Sequence, residues 1–326
     1  MAEKKKNSRA NNVRIVGYLK ENNLEQITKD DGTTAIRGSL IVATDKISSY
    51  KIQFYVSSVN SSNEASADYE RMEALLPQNT ITIASFLKNN SETDFEAAAA
   101  MASKVWIMAR FDEYATRSGE RVNSMITLKG SRGGFASEDK FQPTADFKAD
   151  IYINKMTPEY DADNNATGRI WIEGYLPKYD KSVDVIDFVA INEYNVSKFI
   201  SENWKAGDSV YVEGQLVNIQ ERILADENAA STQFGRPSAP QYETRFIRER
   251  QITGGAGTPK RTAEEGAITA EEVKNGLAER EVKMARNGAK AKQSPNNASN
   301  GAAAPAKKGI DATAAAAKKG LDVFDF

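Results

Sequence analysis

The sequence predicts a mainly β protein with two consecutive small barrels and a flexible C-terminal tail. Its 326 residues suffice for two domains and a tail, at about 100–200 residues per domain. Residues 13–252 alternate apolar and polar side chains with a period of two, between turns rich in Gly, Asn and Asp. The order of the strands and helices indicated by this pattern occurs twice, which indicates an internal duplication.

A strand pattern with a central glycine recurs along the chain. It occurs in VRIVGYL (Val13–Leu19), IWIEGYL (Ile170–Leu176) and VYVEGQL (Val210–Leu216). A glycine inside a strand allows the sharp bend that a strand needs in order to coil around a small closed barrel. Short units of five such strands are typical of the OB-fold barrel.

The first barrel is predicted within residues 13–135. Its strands are Val13–Leu19, Ala35–Ala43, Tyr50–Val56, Val105–Tyr114 and Arg121–Lys129. A helical insert is expected between the third and fourth strands, because Tyr69, Met72 and Leu75 share one helical face before Pro77. The run KGSRGG (Lys129–Gly134) lacks the spacing of a phosphate-binding loop, so we expect a solvated loop there.

The second barrel is predicted within residues 136–252. Its strands are Lys148–Met156, Arg169–Tyr175, Val183–Ile191, Ser209–Ile219 and Tyr242–Gln251. One helix, Val196–Trp204, is predicted between the third and fourth strands, with Asn195 as its N-cap and Gly207 as its end. Trp204 belongs to the apolar face of this helix, so we expect it in the core.

The two ends of the chain differ from the barrels in composition. From about Thr253 the last 74 residues contain eighteen Ala, and their only aromatic residues are Phe324 and Phe326. Such a segment cannot bury a core, so 253–326 is predicted to be a flexible Ala- and Lys-rich tail with an acidic-aromatic tip at 321–326. Within it, Thr269 and Glu272 have the spacing of a capping box that begins a short helix. Residues 1–12 are predicted to be a basic flexible arm whose Lys4–Lys6 and Arg9 either contact phosphates or only keep the end soluble.

The composition excludes several classes of enzyme. With no Cys and no His, the chain has no disulfide, thiol nucleophile, imidazole base or zinc site built from those ligands. The nearest nuclease-like triple, Glu279, Glu281 and Lys283, falls in the predicted tail, where no rigid metal site can be held. We therefore expect no enzymatic activity, no metal and no cofactor. Without a signal peptide or a membrane span, the sequence predicts a cytoplasmic protein that has no membrane partner.

Strand alternation places aromatic and basic side chains on the faces opposite the predicted core. They are Arg14, Tyr18, Lys20, Arg37, Lys51, Tyr55, Trp106 and Arg110 in the first barrel and Arg169, Trp171, Tyr175, Lys178 and Tyr179 in the second. Flat rings stack on any nucleobase and cations follow phosphates, so this pattern predicts binding of single-stranded nucleic acid. The alternative is that the aromatic residues cover a second apolar layer or a subunit interface, where Trp and Tyr are common.

The net charge opposes this hypothesis unless the cations are concentrated on the strand faces. Residues 1–252 contain 31 Lys and Arg against 36 Asp and Glu, a net charge of −5. Carboxylates must then lie away from the nucleic acid. Those expected off its path are Asp184, Asp187, Glu193, Asp226 and Glu227.

Three segments resemble the bacterial-type single-stranded DNA-binding proteins. Asn11–Asp45 resembles the first two strands of that family's OB domain, including the Gly-x-Leu that ends the first strand. Ser197–Leu216 is similar to its helix, turn and fourth strand, and the terminal LDVFDF resembles the acidic tip by which the family recruits replication and repair proteins. The tip residues are Asp322, Val323, Phe324, Asp325 and Phe326.

The resemblance implies sequence-independent binding and protection of single-stranded DNA during replication, recombination or repair, without catalysis. It also implies that about four barrels act together, which a homodimer of a two-barrel chain would supply. The duplication and the long insert at Ser57–Lys104 suggest a phage-encoded version. The rival hypothesis is an OB-fold scaffold that binds proteins or RNA through the aromatic face and has no DNA function.

Overall fold

The computed structural model describes residues 9–60, 62–89, 94–224, 242–254 and 260–293. Within those ranges the chain is mainly β, and no helix there is both long enough and apolar enough to cross a membrane. The strands form two barrels that follow each other along the chain and are joined by strand pairing.

The first barrel has the predicted five strands, one added short strand and a helical insert. Its elements are β1 (Asn11–Asn22), β2 (Glu25–Thr28), β3 (Thr34–Ala43), β4 (Ser49–Ser57), α1 (Ala67–Glu73), α2 (Ile83–Asn89), α3 (Phe95–Met101), β5 (Lys104–Ser118) and β6 (Arg121–Phe135). β1 pairs with β3 and β5, β3 with β4, and β5 with β6, while β4 and β6 pair in parallel. These five strands close a barrel, and β2 extends β3 as a hairpin.

The second barrel repeats this order of pairings. Its elements are β7 (Thr144–Tyr160), β8 (Ala166–Pro177), β9 (Val183–Ala190), α4 (Val196–Asn203), β10 (Ser209–Leu224) and β11 (Tyr242–Gly254). β7 pairs with β8 and β10, β8 with β9, and β10 with β11, while β9 and β11 pair in parallel. The predicted fold class, two tandem OB-fold barrels with helices between the third and fourth strands, is confirmed.

The helix of the second barrel matches its prediction except at its ends. Trp204 is buried, as predicted, but it is also the extended C-cap that ends the helix, and Gly207, with a φ of +94°, belongs to the turn from Lys205 to Asp208 beyond it. Asn195 stands at the N-cap position, but with a φ of +60° its side chain forms no capping hydrogen bond. The prediction was therefore right about the position of Asn195 at the N-cap and wrong about its capping hydrogen bond.

Two of the mid-strand glycines sit where strands cross closely. A Cβ added to Gly17 in β1 would lie 2.3 Å from the carbonyl oxygen of Ala43, and one added to Gly214 in β10 would lie 2.0 Å from that of Gln251. Neither position has room for any side chain. The recurring glycine pattern thus marks the points where each barrel closes on itself.

The two barrels share a sheet and a core. The first strands of both, β1 and β7, pair antiparallel from Asn11 opposite Ala149 to Val16 opposite Thr144. Beneath this junction, the rings of Phe111, Phe147 and Phe188 meet with centroid separations of 5.5–6.1 Å. Burying each ring stabilises the fold by about 1.5–3 kcal/mol, and edge contacts between rings add about 0.5–1.5 kcal/mol per pair.

Each barrel also extends a long hairpin onto the other. The β10–β11 hairpin contacts the first barrel, where the Tyr50 hydroxyl donates to the Leu216 carbonyl oxygen at 2.7 Å and Gln220 N donates to Ile47 O at 2.9 Å. The β5–β6 hairpin contacts the second barrel, where Val185 N donates to Glu113 Oε2 at 3.1 Å. The barrels are therefore held together at three separate places.

The predicted tail begins too early. Residues 260–293 are folded against the barrels and include the helix α5 (Ala270–Gln293), whose Val273 and Met284 are buried together with Ile268 just before it. The start predicted from Thr269 is confirmed, since its hydroxyl accepts from Glu272 N at 3.2 Å. Residues 294–326 lie outside the described residues.

An ion pair and a glycine fix α5 in place. The Arg280 guanidinium donates to both carboxylate oxygens of Glu113 on β5, at 2.7 and 2.5 Å. Gly276 lies against β9, where an added Cβ would come within 2.5 Å of Val183 Cγ1. The Asn-Gly pair that lowers intrinsic helix propensity therefore provides the close approach that packs the helix.

Candidate nucleic-acid interface

The outward side of β1, β5 and β6 carries basic and aromatic side chains. In register, Arg14 on β1 lies opposite Met108 on β5, and Met108 lies opposite Arg132 on β6. Directly opposed side chains on neighbouring strands have Cβ atoms about 4.5–5.5 Å apart, so this row forms one continuous surface. We call the following residues the β5 face: Arg14, Trp106, Met108, Arg110, Lys129 and Arg132.

Trp106 is the aromatic centre of the β5 face. It lies opposite Val16 on β1 and Gly134 on β6. The absence of a side chain at Gly134 makes room for the indole, since a Cβ there would lie 3.2 Å from Trp106 Nε1. The ring is thus seated on the sheet and remains partly exposed. A ring held in this way has little conformational freedom left to lose when a base stacks on it.

The β5 face carries a local excess of positive charge. Three of its basic side chains are exposed: Arg14, Arg110 and Arg132. Within the described ranges, none of the three forms an ion pair or a side-chain hydrogen bond. Lys129 is paired, with Nζ 2.5 Å from Asp112 Oδ2, and Asp146 on β7 is the carboxylate opposite Arg14 in register. Positive charge is therefore concentrated here although the barrels are acidic overall.

Two residues of the β5 face lie in a segment that the sequence analysis assigned to a loop. Lys129–Gly134 is not a solvated loop but part of β6, and it places Lys129 opposite Arg110 and Arg132 opposite Met108. The glycines occur there because Gly130 leaves room for the Phe54 ring and Gly134 leaves room for Trp106. The sequence signal that could have identified this part of β6 is the alternation of basic residues and glycines directly after the predicted strand.

The outer residues of β3 and β4 are exposed but only partly available. Arg37 lies opposite Tyr55, and its Nε is 2.5 Å from Glu25 Oε1. The Tyr55 side chain is 62% exposed, more than that of Trp106, which is only partly exposed. Lys51 lies two residues before Gln53 on the same outward face of β4. It lines a cleft between the barrels. An aromatic and two basic side chains thus continue the surface around the barrel.

Tyr18 belongs to a second apolar layer, the alternative considered above. Its ring meets Phe141 edge to face at 4.9 Å and packs against a small cluster from α2 and α3 that includes Ile83 and Ala99. Lys20, further along β1, is half-buried. Because the helical insert packs against that end of β1, the Tyr18 ring is only partly accessible, and its stacking role stays a prediction.

Arg169 and Trp171 are brought together, but both have partners within the second barrel. The Trp171 indole N–H donates to Glu159 Oε1 at 2.9 Å, and the Arg169 guanidinium lies 5.8 Å from the indole centroid. Arg169 is also ion-paired, 3.5 Å from Glu159 Oε2 and 2.7 Å from Glu249 Oε1. Binding of phosphate by Arg169 stays a prediction, and it would have to displace these carboxylates. Strand β8, which carries both, is separated from β5 by β7 and β1.

Lys178 is buried in an ion network that joins the barrels. Its Nζ contacts Asp112 of the first barrel and lies 3.1 Å from Asp184 Oδ1 of the second. Burial alone would lower the pKa of Lys178, but the two carboxylates outweigh it and raise that pKa. Its contact with DNA stays a prediction, and it would require Lys178 to exchange these carboxylates for phosphates.

The two carboxylates of this network differ. Burial would raise the pKa of Asp112, but hydrogen bonds from Lys129 and Lys178 hold it below its ordinary value. Burial raises the pKa of Asp184 to about 7, against the opposing effect of Lys178. Asp184 Oδ2 is buried and has no hydrogen-bond partner among the described residues, which fits a carboxyl that is readily protonated.

The remaining predicted residues are dispersed. Tyr175 stacks on Tyr152 at 6.4 Å within the second barrel, whereas Tyr179, next to Lys178, is fully exposed. Arg9 is not free for phosphates, because its guanidinium donates to Gly266 O at 2.9 Å and pairs with Glu272. The residues of the tip, 322–326, and those of the basic arm, 4–6, lie outside the described residues.

The carboxylates predicted to lie off the nucleic-acid path are found on the second barrel. Asp184 is buried, while Asp187 and Glu193 are exposed on β9 and just after it. Asp226 and Glu227 lie outside the described residues. In the part of the chain that the structure describes, no group of three or more acidic side chains is placed to hold a metal ion.

Comparison with known proteins assigns the chain to a family. The family model YorF matches residues 9–290, which is both barrels and most of α5. This chain belongs to the YorF family. A comparison with curated proteins finds none that matches.

Solved structures with similarity to this YorF-family chain include two of one protein from Thermus aquaticus. They are the wild-type single-stranded DNA binding protein, at 11% identity with a TM-score of 0.40, and a deletion mutant of it, at 10% identity with a TM-score of 0.41. The alignments cover 78% and 75% of this chain and 98% and 93% of the respective structures. Similarity this weak supports no conclusion about this chain. The identification of the two barrels rests on their strand pairings alone.

The second barrel of this YorF-family chain has a counterpart of the β5 face, and it is covered. Tyr211 on β10 corresponds to Trp106 on β5. Trp106 lies three residues before Ala109, which is opposite the buried Val13, and Tyr211 lies three residues before Gly214, which is opposite the buried Phe147. The Arg261 guanidinium lies 4.7 Å from the Tyr211 centroid and its Nε donates to Asp150 at 2.6 Å. We call residues 260–269 the covering segment. Its Arg261 lies over the ring of Tyr211, whereas Trp106 on the first barrel has no such cation over it among the described residues.

Proposed function

We propose that this protein binds single-stranded DNA without sequence preference, along the β5 face of the first barrel, and that it is not an enzyme. The observation that supports this most directly is a seated, partly exposed indole at Trp106 surrounded by three exposed arginines that lack carboxylate partners in the described ranges. A ring supplies stacking and the guanidinium groups supply phosphate contacts, which together form the usual platform for a single strand.

The chemistry of the β5 face supports binding that does not depend on base identity. An indole face, the Met108 thioether and guanidinium planes make contacts that every base offers, because each base has a π-face. Reading a base sequence would need fixed donors and acceptors aimed at base edges. The outward row of Arg14, Met108 and Arg132 places one thioether between two long, exposed guanidinium groups, which suits phosphates and base faces of any sequence.

A duplex fits this surface less well than a single strand. Stacking on Trp106 needs an unpaired base with an accessible face, which double-stranded DNA does not present. The arginines attract single-stranded and double-stranded DNA alike through the phosphates. The difference in affinity between the two therefore comes from stacking on the Trp106 ring.

The biological setting is proposed on the resemblance of the sequence. We propose protection of single-stranded DNA in replication, recombination or repair, with the tip 321–326 recruiting a partner protein whose pocket combines basic and apolar character. Pairing of two chains would place four barrels in one assembly, and a phage origin is part of the same proposal. Sedimentation with and without oligonucleotide tests the dimer, and pull-down by chains with and without 321–326 tests the tip.

A fluorescence titration tests the central proposal. The protein is titrated with oligo-dT, a matched duplex and the corresponding RNA, each at low and high salt, and tryptophan emission is recorded. We expect quenching and tight binding with oligo-dT, and weaker binding with the duplex. Trp106→Phe should remove most of the quenching, whereas Trp171→Phe, the matched control, should retain it because Trp171 is already engaged by Glu159.

Other outcomes would overturn the proposal. Equal affinity for duplex and single strand would leave only electrostatic attraction, and binding of none of the three nucleic acids would make the β5 face a protein interface. Tighter binding of RNA than of oligo-dT would favour the rival RNA-binding scaffold.

A further inference from the structure

We infer that the cleft between the two barrels receives a nucleobase of the strand bound on the β5 face. This inference rests on the proposed function and extends it from one face to a two-part site. The cleft opens between the β4–β6 side of the first barrel and the β10–β11 hairpin of the second. It holds about 100 Å³ of space and is open to solvent, so one flat group can enter it from the surface.

The interior of the cleft is apolar. Its inner walls come from Phe111, Ile126 and Leu128 of the first barrel and from Leu216 and Val217 of the second. Phe111 and Ile126 are almost fully buried, so the cleft ends on a packed core and not on a mobile surface. A planar, weakly polar group such as a nucleobase gains from leaving water for such a wall.

Apart from the exposed Gln53 at its edge, the polar side chains of the cleft interior are already hydrogen-bonded. The Tyr50 hydroxyl donates to Leu216 O at 2.7 Å, the Thr127 hydroxyl donates to Asp112 O at 3.0 Å, and the Asn218 amide donates to Ser49 O. Burial raises the pKa of Tyr50 to about 12, so its hydroxyl stays protonated and keeps that bond. A base in the cleft therefore meets contacts that do not depend on its identity, as a sequence-independent binder requires.

The rim of the cleft is basic. Lys51 stands on one side, and Arg248 and Arg250 stand on the other. The carboxylate at the rim, Glu249, is ion-paired with Arg169 at 2.7 Å. An apolar interior between cations suits a base whose flanking phosphates remain outside, and it suits an uncharged ligand less well.

The cleft is continuous with the β5 face. Arg110 on β5 lies opposite Lys129 on β6, and Lys129 lies beside Gln53 on β4, which lines the cleft. Strands are about 4.8 Å apart, so this row crosses only about 10 Å from the β5 face to the cleft. One strand can therefore follow the row and lower a base between the barrels.

The experiment fills the cleft and measures affinity. Val217→Trp places an indole in the cleft, and we expect binding of a dT oligomer to weaken about 5- to 150-fold, the effect of losing one stacked base. Val282→Trp adds the same indole on an exposed side of α5, and its affinity should equal that of the wild type. Equal affinities of all three proteins would overturn the inference.

A second measurement uses the unaltered protein and does not depend on the variant folding. A dT oligomer carrying 5-iododeoxyuridine is cross-linked by light, and the adducts are mapped. We expect adducts both on the peptide with Trp106 and on the peptides with Met125 or Val217. Adducts confined to Trp106 would overturn the cleft but keep the proposed function, leaving the cleft to a partner's side chain. Absence of DNA binding altogether would refute both.

Discussion

The two barrels carry the same strand pattern but present opposite surfaces. On the first barrel, VWIMA (Val105–Ala109) leaves Trp106 and Met108 on an open face beside exposed arginines. On the second, VYVEG (Val210–Gly214) leaves Tyr211 and Glu213 at the same positions, and the covering segment lies over them. The inward residues are apolar or glycine in both, so the folds agree while the outward residues differ.

The difference lies in a few charges. Opposite Trp106 stands Val16, whereas opposite Tyr211 stands Asp150, which is buried and accepts from both Arg261 and Ala10 N. A carboxylate at this place attracts a cation of the chain itself and repels phosphates. The comparison teaches that two barrels with the same strand order can keep similar cores while one exposes its outer face and the other anchors a later segment.

The largest expected effect comes from reversing charges on the open face. We expect Arg14→Glu with Arg132→Glu to weaken oligo-dT binding about 100-fold or more at low salt. Losing two phosphate contacts should also make the log-log salt slope shallower by about 1.4. Binding isotherms at several salt concentrations measure both.

The matched control changes net charge equally on the other barrel. Lys198→Glu with Lys205→Glu alters two exposed lysines at α4 and should leave the affinity within about twofold of the wild type. If both double variants weaken binding alike, net charge and not the β5 face governs binding.

Truncating the two corresponding rings sharpens the comparison. Trp106→Ala should weaken oligo-dT binding about 5- to 150-fold, since a stacked base contributes about 1–3 kcal/mol. Tyr211→Ala should leave binding unchanged, because Arg261 already occupies that ring. Fluorescence anisotropy of a labelled oligonucleotide provides the measurement, and a loss in Tyr211→Ala equal to that in Trp106→Ala would show that the second face is open in solution.

Removing the anchor of the covering segment should lower stability and leave binding intact. Arg261→Ala leaves the buried Asp150 carboxylate without its guanidinium partner, and we expect the free energy of unfolding to fall by about 1–3 kcal/mol in urea titrations. Arg261→Lys should recover part of the loss, because the charge remains while the planar fork is lost. Unchanged stability in the Ala variant would mean that the segment does not hold to the barrel.

The smallest expected effect is a pH dependence at the junction of the barrels. Burial raises the pKa of Asp184 to about 7, so the stabilisation from its neutral form is complete below its ordinary pKa of 3.8 and is lost as pH rises through about 7. Asp184→Asn stays neutral, so its Tm relative to the wild type should rise by a few degrees between pH 5 and pH 8. Asp163→Asn, which removes an exposed carboxylate, should show a constant difference. A constant difference for Asp184→Asn as well would contradict the assignment.

The strands were predictable because their signals are local. Period-two alternation located all ten barrel strands, and the glycine pattern marked the closing points at Gly17 and Gly214. The run Lys129–Gly134 was not recognised as strand, because its glycines are explained only by rings from other strands, Phe54 and Trp106. Local sequence does not contain those neighbours.

The site was less predictable than the fold, for the same reason. Alternation correctly placed Trp106 and Arg110 outward, but it cannot tell an exposed cation from one paired with distant carboxylates. Arg169 is ion-paired with Glu249, which lies eighty residues later in the chain, and Lys178 is ion-paired with Asp112 of the other barrel. The folding of 260–293 was missed because its few apolar residues are buried only by packing on distant strands, α5 against β5 and β9 and Ile268 beside Ser209 of β10.

The antiparallel pairing of β1 with β7 has a consequence for behaviour on dilution. Where two separate subunits join edge to edge, their junction dissociates once concentration falls below the dissociation constant. Here one polypeptide supplies both edges, so their effective concentration is set by the connection between β6 and β7 and not by the amount of protein present. The two-barrel unit, with its cleft, should therefore persist in a cell that holds only a few copies of the chain.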